Sequence, residues 1–237
     1  SEMKKLFVGV LCVALSLSVQ GKEVNMTSPD GKYQFTLSDS GGQLHYSLTW
    51  NGKQTVKPSL LGINANVEWR DGVEIGTVDS SRKDTIWHPV YGERSEIKDC
   101  YHAWKIVVNR QNGRDKLILD VRAYDEGIAF RYHFPGGQYL KITDEYTEYT
   151  MPEGTKAYFT PKAQTPYSYL PLENWSGESD RPLLLTLADG GYVCLAEAQV
   201  VDYVRTKFNV SPTKKNTVIS AMYGPVEDIA PYSTPWR

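Results

Sequence analysis

Five short runs of this chain alternate apolar and polar residues with a period of two. Tyr33, Phe35 and Leu37 form the first, and Leu44, Tyr46, Leu48 and Trp50 the second. Trp104, Ile106 and Val108 follow, then Leu117, Leu119, Val121 and Ala123, then Ile128, Phe130, Tyr132 and Phe134. Successive side chains of an extended strand point to opposite faces, so this period puts one face of each run on a core. The dipeptides Asp30-Gly31, Asn51-Gly52, Asp71-Gly72, Asn112-Gly113 and Asp189-Gly190 punctuate the pattern. They supply the positive φ that tight hairpins require. No long segment carries a 3.6-residue period. Many antiparallel strands at short spacing predict an all-β sandwich.

The first residues stand outside this pattern. Lys4 and Lys5 follow Met3, and Leu6 to Val19 is almost free of polar side chains. A basic segment, a short apolar run and small residues beyond it predict a secretory signal peptide over residues 1–22. Ser1 and Glu2 read as residues ahead of the natural start. The run is shorter than the roughly 20 apolar residues of a spanning helix, and Leu11 before Cys12 argues against a lipoprotein cleavage site. The expectation is an exported, most simply periplasmic, protein with no membrane attachment after cleavage and one β-sandwich domain over 23–237.

Twenty-six basic residues balance 28 acidic ones without a basic stripe, which argues against nucleic acid or an anionic membrane as partner. Cys100 and Cys194 remain after the signal. They lie too far apart in sequence for a disulfide framework and lack CxxC partners, so free, buried thiols are expected.

No Gly-rich phosphate loop, HExxH, GxSxG or calcium-loop motif is present, and the four histidines lack metal-ligand spacing. Pro161 to Pro182 breaks the alternation and reads as a long surface excursion, where function tends to collect. Within it Trp175, beside Glu173 and Asn174, is the candidate sugar-stacking subsite, with packing under the loop as the competing explanation. Glu178 and Asp180 read as solvated acids. Leu183 to Leu187 and Tyr192 to Glu197 predict a hairpin. Glu197, in Val193-Cys194-Leu195-Ala196-Glu197-Ala198, has neighbours that predict burial, and a buried carboxylate needs a cation or several donors. The competing explanation of its burial is an internal salt bridge with an arginine such as Arg131 or Arg205.

Four motifs then fall into one order. Trp87-His88-Pro89-Val90-Tyr91-Gly92-Glu93, followed by Ile97 to Tyr101, resembles the W-x-P-x-x-G-E … I-x-x-x-Y segment of glycoside hydrolase family 97. Tyr124 to Tyr132 resembles that family's D-x-G-(I/V)-A-F-R-Y strand. Glu197 to Tyr203 resembles its E-A-x-x-x-D-Y, and the chain stops on Ser233-Thr234-Pro235-Trp236-Arg237, read as a break ahead of a further domain.

The resemblance implies an antiparallel β-super-sandwich of the galactose-mutarotase-like kind, preceding a catalytic (β/α)8 barrel that this chain does not contain. It implies cleavage of α-glucosidic or α-galactosidic bonds in an α-linked oligosaccharide, with no catalytic residue here. Calcium would be held mostly by barrel glutamates, with Glu197 the matching ligand from this domain. One glutamate cannot supply the roughly six to eight oxygens calcium takes, so the isolated chain is expected to bind it weakly or not at all. A free-standing carbohydrate-binding module is the alternative. A mutarotase-like epimerase rests on fold analogy alone.

Overall fold

The computed structural model describes residues 20–92, 96–111, 113–162, 164–198, 203 and 206–237, with Ile97 described in its backbone only. The signal-peptide run up to Val19, Glu93, Asn112, the 199–202 part of the third motif, and Arg205 lie outside the described residues.

The described chain is built almost wholly of antiparallel strands. All five alternating runs are strands, at Tyr33–Ser38, Leu44–Trp50, Ile97–Arg110, Lys116–Tyr124 and Gly127–Phe134. An eight-stranded sheet contains, in spatial order, Glu23–Thr27, Tyr33–Ser38, Leu44–Trp50, Lys53–Leu61, Glu148–Thr150, Thr217–Met222, Thr206–Val210 and Glu178–Ser179. A five-stranded sheet runs Tyr232–Ser233, Gly127–Phe134, Lys116–Tyr124, Ile97–Arg110 and Val73–Trp87. A four-stranded sheet runs Val226–Ile229, Tyr139–Glu145, Ile63–Ala65 and Val67–Trp69. The other four-stranded sheet runs Ser168–Pro171, Lys156–Phe159, Leu183–Thr186 and Tyr192–Leu195.

The alternation does the work the sequence predicts. Phe35, Leu37, Ile106, Val108, Leu117, Leu119, Val121, Tyr132 and Phe134 are at most 2 % exposed and join one hydrophobic cluster that draws on all four sheets. Between the two larger sheets the Phe35 and Tyr46 rings stack at 5.1 Å, and Phe130 packs on them at 6.0 and 5.5 Å. The two sheets therefore meet face to face through aromatic side chains, as in a sandwich. The Asn51-Gly52 turn has both residues at positive φ (53° and 79°), the geometry that matches the twist of the flanking strands. At Gly62 a Cβ would stand 2.8 Å from the Trp69 carbonyl oxygen, and its N–H donates to Tyr132 Oη at 3.0 Å. Only glycine lets the backbone pass this close to the neighbouring strand.

Three expectations need correction. Cys100 and Cys194 are free, but Cys194 is exposed and Cys100 half-buried. The 161–182 stretch is not merely a surface excursion, because Leu172, Trp175, Ser179 and Asp180 anchor it in the interior. Asp180 is thus a buried acid, and Glu178 is held by Lys207 at 3.3 Å and by the Tyr223 hydroxyl.

Candidate functional site: a buried charge cluster around Glu197

The hairpin of Leu183–Thr186 with Tyr192–Leu195 delivers Glu197 just past its second strand. The next residue, Ala198, exchanges backbone hydrogen bonds with Trp236, both at 3.0 Å. On its other side the C-terminal segment follows Gly127–Phe134: Thr234 N–H donates to Tyr132 O at 2.9 Å and Arg237 N–H to Phe130 O at 2.8 Å. Glu197 and Arg237, forty residues apart in sequence, are brought side by side by backbone pairing alone.

Their side chains form a dry cluster. The Glu197 side chain is 2 % exposed, and its Oε1 accepts from Arg237 Nη1 at 2.8 Å and from Thr206 Oγ1 at 2.6 Å. Its Oε2 is paired with Arg181. Arg237 also grips Glu145, donating from Nε to Oε2 at 3.2 Å and from Nη2 to Oε1 at 2.5 Å, with both side chains at most 1 % exposed. The Tyr203 hydroxyl donates to Glu145 Oε1 at 3.2 Å. Burial, reinforced by the Glu145 charge, holds the Tyr203 phenol well above its ordinary pKa, so it stays a donor. Two carboxylates and two guanidiniums thus balance in charge inside the protein, the condition under which buried ions are tolerated. Outside the cluster, the Trp236 ring lies under Arg131 and Arg122, at 4.3 and 4.6 Å.

Glu197 is therefore buried beside cations, as the sequence predicts, but through Arg181 and Arg237. Arg131 belongs instead to Asp120, at 3.0 Å. Glu145, Arg181 and Arg237 are the members sequence reasoning missed. The carboxylate has lone pairs for one metal bond, yet no group of three metal-ligating side chains occurs among the described residues. Both Glu197 oxygens are already engaged, Oε1 by Arg237 and Thr206 and Oε2 by Arg181.

The second candidate behaves differently. Glu173 and Asn174 are exposed, but Trp175 is 3 % exposed and stacks on Phe159 at 5.3 Å. The ring is turned into the core and offers no open face. An open cleft of about 760 Å³ lies elsewhere, with exposed Trp50 and Tyr192 on its walls beside Lys53, Asp125 and Glu126.

The Glycosyl-hydrolase 97 N-terminal family matches residues 26–237. A retaining alpha-galactosidase of Bacteroides thetaiotaomicron is 25 % identical over 244 residues, which cover 94 % of this chain and 36 % of that enzyme. A glycoside hydrolase family 97 enzyme from Pseudoalteromonas sp. strain K8, solved with panose, superposes with a TM-score of 0.81 at 23 % identity, over 90 % of this chain and 35 % of that one. A beta-arabinopyranosidase gives the same TM-score at 20 % identity, over 90 % and 39 % of the two chains. The chain spans about a third of the length of the relatives it matches. With the match running through the whole sandwich and the Glu197–Arg237 cluster to the last residue, the chain belongs to the glycosyl-hydrolase 97 N-terminal family.

Proposed function

We propose that this chain is the non-catalytic N-terminal domain of an exported, calcium-dependent α-glycosidase. In this reading it packs on the catalytic (β/α)8 barrel of the same polypeptide and completes its active site. The observation that carries the reading is the buried carboxylate of Glu197, fixed by Arg237, Thr206 and Arg181. A buried acid that the fold holds in one place is suited to donate one oxygen to a metal whose remaining ligands come from the barrel. Calcium bound there would supply a fixed positive charge at the edge of the active site. Export rests on the Met3–Gly21 pattern, and an α-linked oligosaccharide as substrate rests on the galactosidase and the panose-bound enzyme among the relatives.

Calcium calorimetry tests this. The chain alone is expected to give no micromolar affinity. The longer polypeptide is expected to bind, and to lose about tenfold or more in Glu197→Gln, because affinity follows the ligand charge count. Tight binding by the chain alone, or an unaffected Glu197→Gln, would sink the assignment.

One observation favours the carbohydrate-binding alternative, and it is not Trp175. Exposed Trp50 and Tyr192 flank the cleft with Asp125 and Glu126, and aromatic faces beside carboxylates suit a sugar ring. Oligosaccharide affinity of the chain that is lost in Trp50→Ala would support this reading.

A further inference from the structure

The two longest strands, Val73–Trp87 and Ile97–Arg110, do not end where their sheet ends. Lys116–Tyr124 accompanies the second of them only as far as the His102–Ala123 pair. Beyond it, the five pairs from Lys83–Tyr101 to Trp87–Ile97 continue as a two-stranded ribbon. At about 3.4 Å per residue the ribbon reaches about 17 Å past its last neighbour.

A two-stranded ribbon alone in water is marginal, and this one carries apolar side chains outward. Ile86 is 52 % exposed, Trp87 49 %, and beyond them Val90 86 % and Tyr91 91 %. Four large apolar residues exposed at one end of the ribbon concentrate apolar surface there, and such concentrations mark interaction sites. The ribbon is braced as an arm would be: Lys83 bonds Asp99 at 2.5 Å and Cys100 Sγ donates to Asp84 at 3.0 Å. Its base is tied to the C-terminal segment, because the Arg122 guanidinium lies 4.7 Å from the Tyr101 ring and 4.6 Å from the Trp236 ring.

We infer that the arm is a docking element whose tip seats Trp87, Val90 and Tyr91 in an apolar notch of the catalytic domain, the two thirds of the relatives' length that this chain does not cover. The inference rests on the reading of the chain as one domain of a longer glycosidase. One observation selects that occupant: the uncovered two thirds of the relatives' length is large enough to hold such a partner. The arm then holds the partner domain about 17 Å beyond the last strand that flanks it, by the strand rise above.

Hydroxyl-radical footprinting tests it, comparing this chain alone with the same chain extended to the relatives' full length. Labelling of Trp87 and Tyr91 is expected to fall at least about tenfold in the extended polypeptide. In Val90→Asp/Tyr91→Ser, fully exposed positions that leave the core intact, Trp87 should stay labelled. If Trp87 and Tyr91 label equally in both forms while other exposed aromatics such as Trp50 or Tyr192 become protected, the domains pack and the arm proposal fails by itself. If nothing becomes protected, the two-domain reading fails with it. Labelling of the chain alone that falls as its concentration rises would make the occupant a second copy and would also overturn the proposal.

Discussion

Replacing Glu145 by alanine is the sharpest perturbation of the buried cluster. Glu145 is wholly buried and accepts two bonds from Arg237 and one from Tyr203. Its removal leaves the Arg237 guanidinium, 1 % exposed, with Glu197 and the Pro235 carbonyl as its remaining acceptors. Stripping one partner from a buried pair costs about 3–5 kcal/mol, most of it the uncompensated charge. In a domain of this size each kcal/mol lowers the midpoint by about 2–4 °C, so Tm should fall by about 6–20 °C. Urea unfolding followed by tryptophan fluorescence gives the same quantity as a lowered midpoint at unchanged slope. The surface pair of Arg70 with Asp71, whose side chains are 39 % and 60 % exposed, sets the scale for comparison: Asp71→Ala should cost less than about 1 kcal/mol. Glu145→Met with Arg237→Met should recover much of the single-variant loss, since an apolar pair carries no stranded charge. A cost for Glu145→Ala no larger than for Asp71→Ala would refute the claim that the cluster is dry.

Further outcomes follow from the same geometry. Trp175→Ala should cost about 3–5 kcal/mol in unfolding free energy through the cavity it leaves, and should leave oligosaccharide binding by the folded protein unchanged; loss of affinity at full stability would restore Trp175 as a stacking platform. Burial lowers the pKa of both His45 and His133. Both therefore stabilise the fold above the unfolded-state value near 6.5, and stability should decline as pH falls below that value toward their folded pKa values; His133→Gln should flatten the profile measured by urea midpoints. Burial and the Glu178 bond push the Tyr223 phenol up to about 12, so absorbance titration should show a tyrosine ionising well above the ordinary value near 10, and Glu178→Gln should bring it down.

Much of the fold is legible because period-two alternation and turn chemistry are local signals. The runs through Phe35, Tyr46, Ile106, Leu119 and Phe130 name their own inward faces, and Asn51-Gly52 sets its own turn. The charge cluster is legible only in part. Glu197 is conspicuous because its neighbours are apolar. Glu145 is hidden by a register shift between Ile142 and Asp144, where the strand pairs with Ile63–Ala65. Simple alternation from Leu140 and Ile142 would turn residue 144 inward, but the bulge turns Glu145 inward instead. Arg237 is invisible for another reason: its carboxylate partners, Glu145 and Glu197, lie 92 and 40 residues back along the chain, which no local pattern encodes. Trp175 misled because a tryptophan between polar residues has the same local pattern whether it faces solvent or, as here, Phe159.

The central claim is a division of labour, with the sandwich supplying a fixed carboxylate and the barrel the reacting groups. Hydrolysis of nitrophenyl α-glycosides, measured on the purified chain and on the chain extended to its relatives' length, tests it most directly. The prediction is no turnover by the chain alone, and turnover by the extended polypeptide that drops in Glu197→Gln. Turnover by the chain alone would contradict it.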